Sequence, residues 1–316
     1  AMSSTAPFRP EWIQELCFVE NNDPKNPNVQ WNNGHFMHQF TYFIGNVNFY
    51  YEENGTKKVA IMQTGDSMYI TPFTKHSFTT RADSKKKGLI LALTYGSKLT
   101  GDTQQEIACL SISQGSEFAL DFSTINKSSS SLLKFYRDIS NLTIQEISKR
   151  TGMSNNTLNQ FENGEKIPTV LELKEIAQSM NINTRDLLPS DKIENKVIVK
   201  KHVNSHPWFY PENKEHYKFL ELASTLAISD SKAFEVHVLE SNDENLDLKS
   251  GSHQYVYNIG NDFLNITWEY DDIKYSKTLE PDDSCYVKPF TSHNFRGIGK
   301  LLILRIGGKL TGDSQR

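Results

Sequence analysis

Two different periods of hydrophobic residues divide the chain. Up to about residue 125, and again after about residue 195, short apolar runs alternate with turn residues. An example is the pair Phe40–Ile44 and Val47–Tyr51, which flank Gly45 and Asn46. A Gly-Asn pair between aromatic-rich runs predicts a two-residue β-hairpin. From residue 132 to residue 188 the apolar positions instead fall at helical spacing, which predicts a helical segment between two β segments.

The two β segments are copies of one another. HQFTYFIGN at 38–46 recurs as HQYVYNIGN at 253–261, YITPFTKHSF at 69–78 as YVKPFTSHNF at 286–295, and GSKLTGDTQ at 96–104 as GGKLTGDSQ at 307–315. Three matches in the same order, at offsets of 215, 217 and 211 residues, indicate a duplicated domain. Short strands separated by Gly, Asp and Asn favour a small barrel or jelly roll for each copy.

The predicted fold class is therefore mixed all-β plus all-α: two cupin β-barrels of jelly-roll type, separated by a helix-turn-helix module. We place the first barrel at 7–125, the helical module at 130–190 and the second barrel at 195–316.

The helical segment resembles the helix-turn-helix of phage repressors. Thr143 followed by Glu146 predicts a capping box at the start of one helix. The recognition helix would be Ser154–Asn163, which has no Lys or Arg, although base and phosphate contacts usually need them. Seven basic and seven acidic residues between 133 and 188 leave no net positive charge. We therefore do not expect DNA binding; the alternative is a module that supports a barrel.

Composition narrows the class of protein further. A net charge of −4 and a pI near 6.2 give no general attraction to nucleic acid or anionic membranes. The three cysteines, Cys17, Cys109 and Cys285, are far apart, which is typical of thiols in a reducing compartment rather than of disulfides. The longest apolar run, near residues 89–94, is too short to span a membrane, and residues 1–6 have no signal-peptide features. We expect a soluble, cytoplasmic protein.

A candidate metal site lies in the first copy. His35 and Gln39 are four residues apart, so on a regular strand they share one face, with His38 on the opposite face. His76 follows one strand later, and a barrel can bring it beside the other two. Two imidazoles and one oxygen donor on one side of a metal suit iron(II) and dioxygen. A single histidine after a glycine can equally be structural.

Comparison of the two copies favours the metal interpretation. Gln254 and His293 match Gln39 and His76, but Ser250 stands where His35 would be. The second copy thus lacks one of three ligands, and we expect it to hold no catalytic metal. One working site in a duplicated enzyme is consistent with this pattern.

The motif N-x-x-H-x-x-x-Q from Asn32 to Gln39, the later P-x-x-H ending at His76, and the adjoining helix-turn-helix together resemble the phosphonate-processing non-haem iron oxygenases. That family includes hydroxypropylphosphonate epoxidase and hydroxyethylphosphonate dioxygenase, and the tandem arrangement is similar to the dioxygenase. The epoxidase pattern has Glu where this chain has Gln39. Within the family, the methylphosphonate synthases bind iron through two His and one Gln, and this chain resembles that branch. The dioxygenase takes its carboxylate six residues before the second His, where this chain has Ile70.

The resemblance implies a reaction and its partners. It implies oxidative C–C cleavage of 2-hydroxyethylphosphonate to methylphosphonate and carbon dioxide, with Fe(II) and O2 and without 2-oxoglutarate. Iron would be held by His35, Gln39 and His76, and Asn32 would hydrogen-bond the phosphonate or dioxygen. The family also implies a homo-oligomer. Its phosphonate-binding Lys, Arg and Tyr are expected before residue 1. Lys75 and Arg81 are near the site in sequence only, and the corresponding residues of the second copy, Lys200, Lys201, Tyr210 and Tyr217, would serve the degenerate barrel.

Three alternatives stay open at this point. A hydroxyethylphosphonate dioxygenase would give hydroxymethylphosphonate from the same substrate. A transcriptional regulator could also combine a helix-turn-helix with a cupin, although the recognition helix lacks cations. A third possibility is a cupin isomerase or another dioxygenase.

Overall fold

The computed structural model divides into two compact units, one of residues 1–98 with 195–316 and one of residues 99–194. The first unit holds both copies of the repeat and the second holds the helical module. The three predicted domain boundaries stay a prediction. The structure describes residues 8–10, 14–15, 18–19, 23–27, 29–31, 38–81, 88–95, 120–121, 123–189, 197–226, 231–239 and 245–306.

The first copy forms two antiparallel-rich sheets. Its strands are β1 (Phe8–Pro10), β2 (Gln14–Glu15), β3 (Phe18–Val19), β4 (His38–Ile44), β5 (Val47–Glu53), β6 (Thr56–Met62), β7 (Ser67–Ile70), β8 (His76–Arg81) and β9 (Leu89–Tyr95). One sheet has the order β1-β9-β4-β7, with β2 also paired to β9, and the other has the order β3-β8-β5-β6. The hairpin predicted around Gly45 is the β4–β5 connection.

The second copy repeats this plan. Its strands are β10 (Val197–Lys200), β11 (Pro207–Tyr210), β12 (Tyr217–Glu221), β13 (Ser231–Val238), β14 (His253–Asn258), β15 (Leu264–Tyr270), β16 (Ile273–Leu279), β17 (Ser284–Val287), β18 (His293–Arg296) and β19 (Gly299–Ile306), with a 3₁₀ helix at His202–Asn204. The sheets have the orders β11-β12-β13-β19-β14-β17 and β16-β15-β18. The β-rich fold with a helical module between its two β regions is thus confirmed.

Side chains on β4 alternate between two different cores. Phe40 and Tyr42 belong to a buried cluster shared with Leu302 and Leu304 of the second copy. Phe43 instead packs inside the first barrel, in a cluster that includes Ile70. Because side chains on a strand point alternately to its two faces, one face of β4 joins the two barrels and the other lines the interior of the first.

One strand from the second half of the chain extends a sheet of the first barrel. β10 pairs antiparallel with β7, adding an edge strand to that sheet. The two residues after β10, Lys201 and His202, bind Asp66 of the first copy. The Asp66 carboxylate accepts hydrogen bonds from Lys201 Nζ at 2.7 Å and from the His202 backbone N–H at 2.8 Å. Gly65 has φ +90°, and a Cβ there would lie 2.6 Å from the His202 ring. Only glycine allows this close approach.

A buried carboxylate joins the two barrels. Glu235 is 1% exposed, and its Oε2 accepts a hydrogen bond from Tyr42 Oη at 2.8 Å. Its Oε1 lies 2.7 Å from His237 Nε2. Burial alone would raise the pKa of Glu235, but the hydrogen bonds from His237 and Tyr42, with the nearby His202 and Lys300, lower it to about 2. The charged carboxylate is therefore the stable form inside this interface.

The helical module has its own core. Its helices are α1 (Ile125–Ile139), α2 (Ile144–Thr151), α3 (Asn155–Glu162), α4 (Val170–Ser179) and α5 (Thr184–Leu187). The buried residues of this core include Ile147, Leu158 and Phe161. No helix in the described part of the chain is long and apolar enough to cross a membrane.

The capping of these helices differs in part from the prediction. Thr143 does cap α2, accepting a hydrogen bond from the Glu146 N–H. The predicted capping box was wrong in its second half, because the Glu146 carboxylate binds Arg150 instead. The reciprocal capping box is found at α4, between Thr169 and Glu172.

An ion pair joins α1 to the presumed recognition helix α3. The Arg137 guanidinium donates to both oxygens of Glu162, at 2.6 and 3.2 Å, and to the Leu142 carbonyl. The two charged side chains are only 19% and 11% exposed. Glu162, the acidic residue of the recognition helix, thus has a structural role within the module.

We expect the Tyr42→Phe variant to lose about 2 kcal/mol of unfolding free energy, because it removes a buried hydrogen bond to a charged group. Tyr257→Phe is the matched control. Its hydroxyl occupies the equivalent place in the repeat but makes a longer, half-buried contact to Asp282, at 3.3 Å. Urea unfolding at neutral pH measures both, and equal losses would contradict the importance of the Tyr42–Glu235 bond.

The same carboxylate predicts a pH dependence. The pKa of Glu235 is lowered from 4.5 to about 2 on folding, so its stabilising contribution is present above pH 4.5 and is lost as the pH falls towards 2. We expect the stability difference between the wild type and Glu235→Gln to shrink by about 3 kcal/mol across that window. Urea titrations at several acidic pH values test this, and a constant difference would contradict it.

In the helical module we expect Glu162→Ala to lose about 1–2 kcal/mol, because it removes both hydrogen bonds from the largely buried Arg137 to Glu162. Asp138, 2.9 Å from Arg137, still compensates part of the charge. Glu175→Ala, an exposed glutamate of α4, should change stability by less than about 0.5 kcal/mol. Thermal unfolding followed by circular dichroism at 222 nm compares the two. A loss of the same size in both variants would argue against the ion pair.

Candidate metal centre

Two of the predicted ligands lie in the interior of the first barrel. Gln39 is on β4 and shares a face with Phe43, a residue of the barrel core. His76 begins β8 and shares a face with Phe78, which packs against the same core. Both predicted ligands are only 3% exposed. They come from the two different sheets of the first copy.

The other two predicted site residues, Asn32 and His35, lie in 32–37, outside the described residues. That His35 shares a strand face with Gln39 therefore stays a prediction. Within the described ranges, no group of three or more His, Cys, Asp and Glu side chains is placed to hold a metal ion.

The ring of His76 has a defined orientation. Its Nδ1 lies 2.8 Å from the carbonyl oxygen of Thr74. A carbonyl only accepts, so Nδ1 carries the proton and Nε2 carries the lone pair. The edge of the ring also contacts Phe78, with centroids 5.5 Å apart. A hydrogen bond from one ring nitrogen to a carbonyl is how metal-binding histidines are usually oriented.

Gln39 is oriented by a neighbour two residues along the strand. Its Nε2 donates a hydrogen bond to Thr41 Oγ1 at 2.9 Å. Since the amide nitrogen serves as this donor, the oxygen Oε1 is the atom that can coordinate a metal. An amide oxygen is a neutral ligand, weaker than a carboxylate but of the same oxygen type.

The ladder places two informative residues directly opposite Gln39. Ile70 faces it on β7 and Thr94 faces it on β9. Residues opposite one another have Cβ atoms about 5 Å apart. The resemblance to hydroxyethylphosphonate dioxygenase implies that a carboxylate ligand would stand at the position of Ile70. Positions 39 and 70 can thus present an oxygen donor to nearly the same point, and here only Gln39 has one.

The turn before His76 is strained in both copies. Phe73 has φ 61° and Phe290, its counterpart, has φ 64°. Bulky residues rarely adopt this left-handed conformation. The turn places Thr74, and hence the carbonyl that orients His76. Because the copy without His35 keeps the same strain, the strain belongs to the barrel and does not by itself indicate a metal.

His38 is on the other face of β4, as the alternation predicted. Its Nδ1 is 2.5 Å from Tyr69 Oη, and the two rings stack with centroids 5.8 Å apart. The second copy repeats this pair with His253 and Tyr286, at 2.5 and 5.9 Å. These histidines therefore belong to the contact between the barrels and not to the metal site.

Three lysines and one tyrosine among the residues considered for phosphonate binding are either bound to other groups or exposed. Lys75 lies 4.0 Å from Glu52 and is half-exposed, and Lys201 binds Asp66. Lys200 is 3.6 Å from Glu221. The hydroxyl of Tyr217 is taken up by the Phe295 backbone.

Sequence reasoning missed the two threonines that orient the ligands. Thr41 was detectable, because it shares a strand face with Gln39 at a spacing of two. Thr74 acts through its backbone carbonyl, so its residue type gave no signal.

The second copy keeps His293 in the same conformation as His76. Its Nδ1 lies 2.9 Å from the Thr291 carbonyl, and its ring edge contacts Phe295. Burial and, to a smaller extent, the nearby Arg305 lower the pKa of His293 to about 4, although the hydrogen bond to Thr291 raises it. The ring is therefore neutral at physiological pH.

Both the helical module and the chain as a whole have known relatives. A family model described as helix-turn-helix matches residues 133–187. The methylphosphonate synthase of Nitrosopumilus maritimus (strain SCM1) is 62% identical over 317 residues, covering 100% of this chain and 69% of that protein.

Solved structures have the same fold. A structure of Streptomyces albus HEPD with its substrate 2-hydroxyethylphosphonate and Fe(II) bound has a TM-score of 0.83 and 33% identity, covering 100% of this chain and 71% of that one. A mutant of hydroxyethylphosphonate dioxygenase is 20% identical with a TM-score of 0.68, covering 93% and 69%, which shows the fold alone. The resemblance predicted from the sequence is confirmed, and the chain belongs to the methylphosphonate synthase family.

Proposed function

We propose that the protein is a non-haem Fe(II)-dependent oxygenase that cleaves the C–C bond of 2-hydroxyethylphosphonate, giving methylphosphonate and carbon dioxide. The observation that carries this is the buried pair of Gln39 and His76, oriented as an oxygen and a nitrogen donor in the first barrel. The named relative at 62% identity supports the reaction. The related structure with 2-hydroxyethylphosphonate and Fe(II) bound supports the substrate and the metal.

We assign the iron to His35, Gln39 and His76. The two described donors fit iron(II), because imidazole nitrogen with an oxygen donor is the ligand set of facial iron sites. When bound, the iron would bring substrate and dioxygen to one centre and pass electrons between them. The protein's part is to hold the ligand atoms: Thr74 fixes the ring of His76, and Thr41 fixes the amide of Gln39.

The stoichiometry requires no other reductant. One 2-hydroxyethylphosphonate and one O2 balance as one methylphosphonate, one carbon dioxide and one water, so the four electrons that dioxygen takes come from the substrate. We therefore propose no 2-oxoglutarate. Asn32 would donate a hydrogen bond to the phosphonate or to dioxygen.

The chemistry of position 39 distinguishes this reaction from the dioxygenase alternative. A neutral amide leaves the metal centre one unit more positive than a carboxylate does. Ile70, across the ladder from Gln39, is fully buried among apolar residues and has no donor atom. We propose that the missing carboxylate directs the reaction to methylphosphonate rather than hydroxymethylphosphonate.

The regulator alternative has less support. The recognition helix α3 has no cation, and its Glu162 is bound by Arg137 within the module. Sequence-specific DNA contacts usually need Arg or Lys at this position or beside it. We therefore propose no DNA partner. We also propose that the protein is cytoplasmic and forms a homo-oligomer.

The function is tested by loading the protein with iron(II) without oxygen, adding 2-hydroxyethylphosphonate and air, and following products by phosphorus NMR. We expect methylphosphonate from the wild type, and neither product nor bound iron from His76→Ala. His293→Ala, the same change in the second barrel, should keep both iron and activity. Hydroxymethylphosphonate as the main product would contradict the proposed reaction, and iron retained by His76→Ala would contradict the site.

A second prediction concerns Gln39. Gln39→Glu supplies the carboxylate that the family pattern otherwise has, and we expect the ratio of hydroxymethylphosphonate to methylphosphonate to rise about tenfold or more, a barrier difference of about 1.4 kcal/mol. Gln254→Glu in the second barrel is the matched control and should leave the ratio unchanged. An unchanged ratio in Gln39→Glu, with iron still bound, would rule out the proposed role of the amide.

A further inference from the structure

We infer that Arg305 takes the place of a metal ion in the second barrel and closes a latent metal site there. This inference rests on the metal site proposed for the first barrel, of which the second barrel holds the counterpart. It concerns a part of the protein that the proposed reaction does not use.

The repeat gives Arg305 its position. In the first barrel Gln39 lies opposite Thr94, and in the second barrel Gln254 lies opposite Arg305. The offset from 94 to 305 is 211 residues, the same as for the repeated GSKLTGDTQ segment that follows. Arg305 therefore replaces a small, uncharged residue at the position that directly faces the glutamine.

The contact of Arg305 is with the atom that a metal would use. Its Nε donates a hydrogen bond to Gln254 Oε1 at 2.8 Å. In the first barrel, the amide nitrogen of the glutamine is instead held by Thr41, and the residue matching Thr41 in the second copy is Val256. A guanidinium and a metal cation cannot both occupy the neighbourhood of one amide oxygen, because their charges repel each other.

The guanidinium is held firmly in this place. It lies over the face of Phe234, with the carbon of the guanidinium 5.4 Å from the ring centroid. A cation above an aromatic face is attracted to it, more strongly when partly desolvated. Arg305 thus has two fixed contacts, one to Gln254 and one to Phe234.

The histidine donor of the second barrel, His293, is present, and one of its two ring nitrogens lacks a hydrogen-bond partner in the described part of the chain. His293 is 1% exposed, and its Nε2 makes no hydrogen bond in the described part of the chain. Buried polar atoms without partners are uncommon and call for an explanation. We explain this nitrogen as the remnant of a metal ligand, because the Thr291 carbonyl still orients the His293 ring as Thr74 orients His76.

Two changes should therefore reopen the site: Ser250→His restores the missing ligand, and Arg305→Thr removes the cation. We would make both in a His76→Ala background, so that bound metal reports the second barrel alone. Each protein is loaded with cobalt(II) without oxygen and desalted, and metal per chain is measured by mass spectrometry. The cobalt absorption spectrum identifies nitrogen and oxygen ligation, and circular dichroism checks the fold.

We expect about one cobalt(II) per chain in the Ser250→His/Arg305→Thr protein, and almost none in the control Ser250→His/Arg305→Lys, which keeps the positive charge. Equal binding in both would overturn the inference, as would a folded test protein without metal. If the double change prevents folding, Arg305→Thr alone in the same background should bind cobalt(II) at least about tenfold more tightly than His76→Ala. Equal affinity would overturn the inference.

The outcomes also separate this inference from the proposed function. Metal retained by His76→Ala itself would mean that the first-barrel site is wrong. Metal lost in His76→Ala but not regained in the double variant would overturn only the role of Arg305.

Discussion

The alternation of side chains along β4 is the constraint on which the rest of the structure depends. One face of this strand carries Phe40 and Tyr42 into the contact between the barrels, and the other carries Gln39 and Phe43 into the interior of the first. A shift of register by one residue would exchange the two faces, placing Gln39 between the barrels and Tyr42 in the interior of the first barrel. The hydrophobic contact that joins the barrels therefore also fixes the direction of Gln39.

Most of the fold could be predicted because the pattern is local. The strands could be predicted from period-two alternation, the hairpin at Gly45 and the repeat. The helical module could be predicted from the helical spacing of its apolar residues. The alternation also predicted that Gln39 and His38 lie on opposite faces of one strand, whereas the role of Gln39 and His76 as ligands stays a prediction. The capping partner of Glu146 was not, because Arg150 competes for the carboxylate. Thr74 was missed because it acts through its carbonyl. The contacts of Arg305 and Glu235 depend on how distant strands pair or pack. The spacing of residues along the chain does not determine that arrangement.

The two copies show how one scaffold supports one site. Both keep the left-handed phenylalanine, the carbonyl that orients the histidine and the stacked His–Tyr pair. They differ opposite the glutamine that both copies have, with Thr94 in one barrel and Arg305 in the other. In our proposal, this difference decides which of the two barrels accommodates a metal ion.

We propose that the amide oxygen of Gln39 and Nε2 of His76 bind the iron in the first barrel. Diffraction from crystals loaded with iron(II) without oxygen, recorded on both sides of the iron absorption edge, would locate the metal. We expect one anomalous peak per chain, within bonding distance of these two atoms and absent from the neighbourhood of Gln254. A peak in the second barrel, or iron bound without Gln39, would rule out the proposed site.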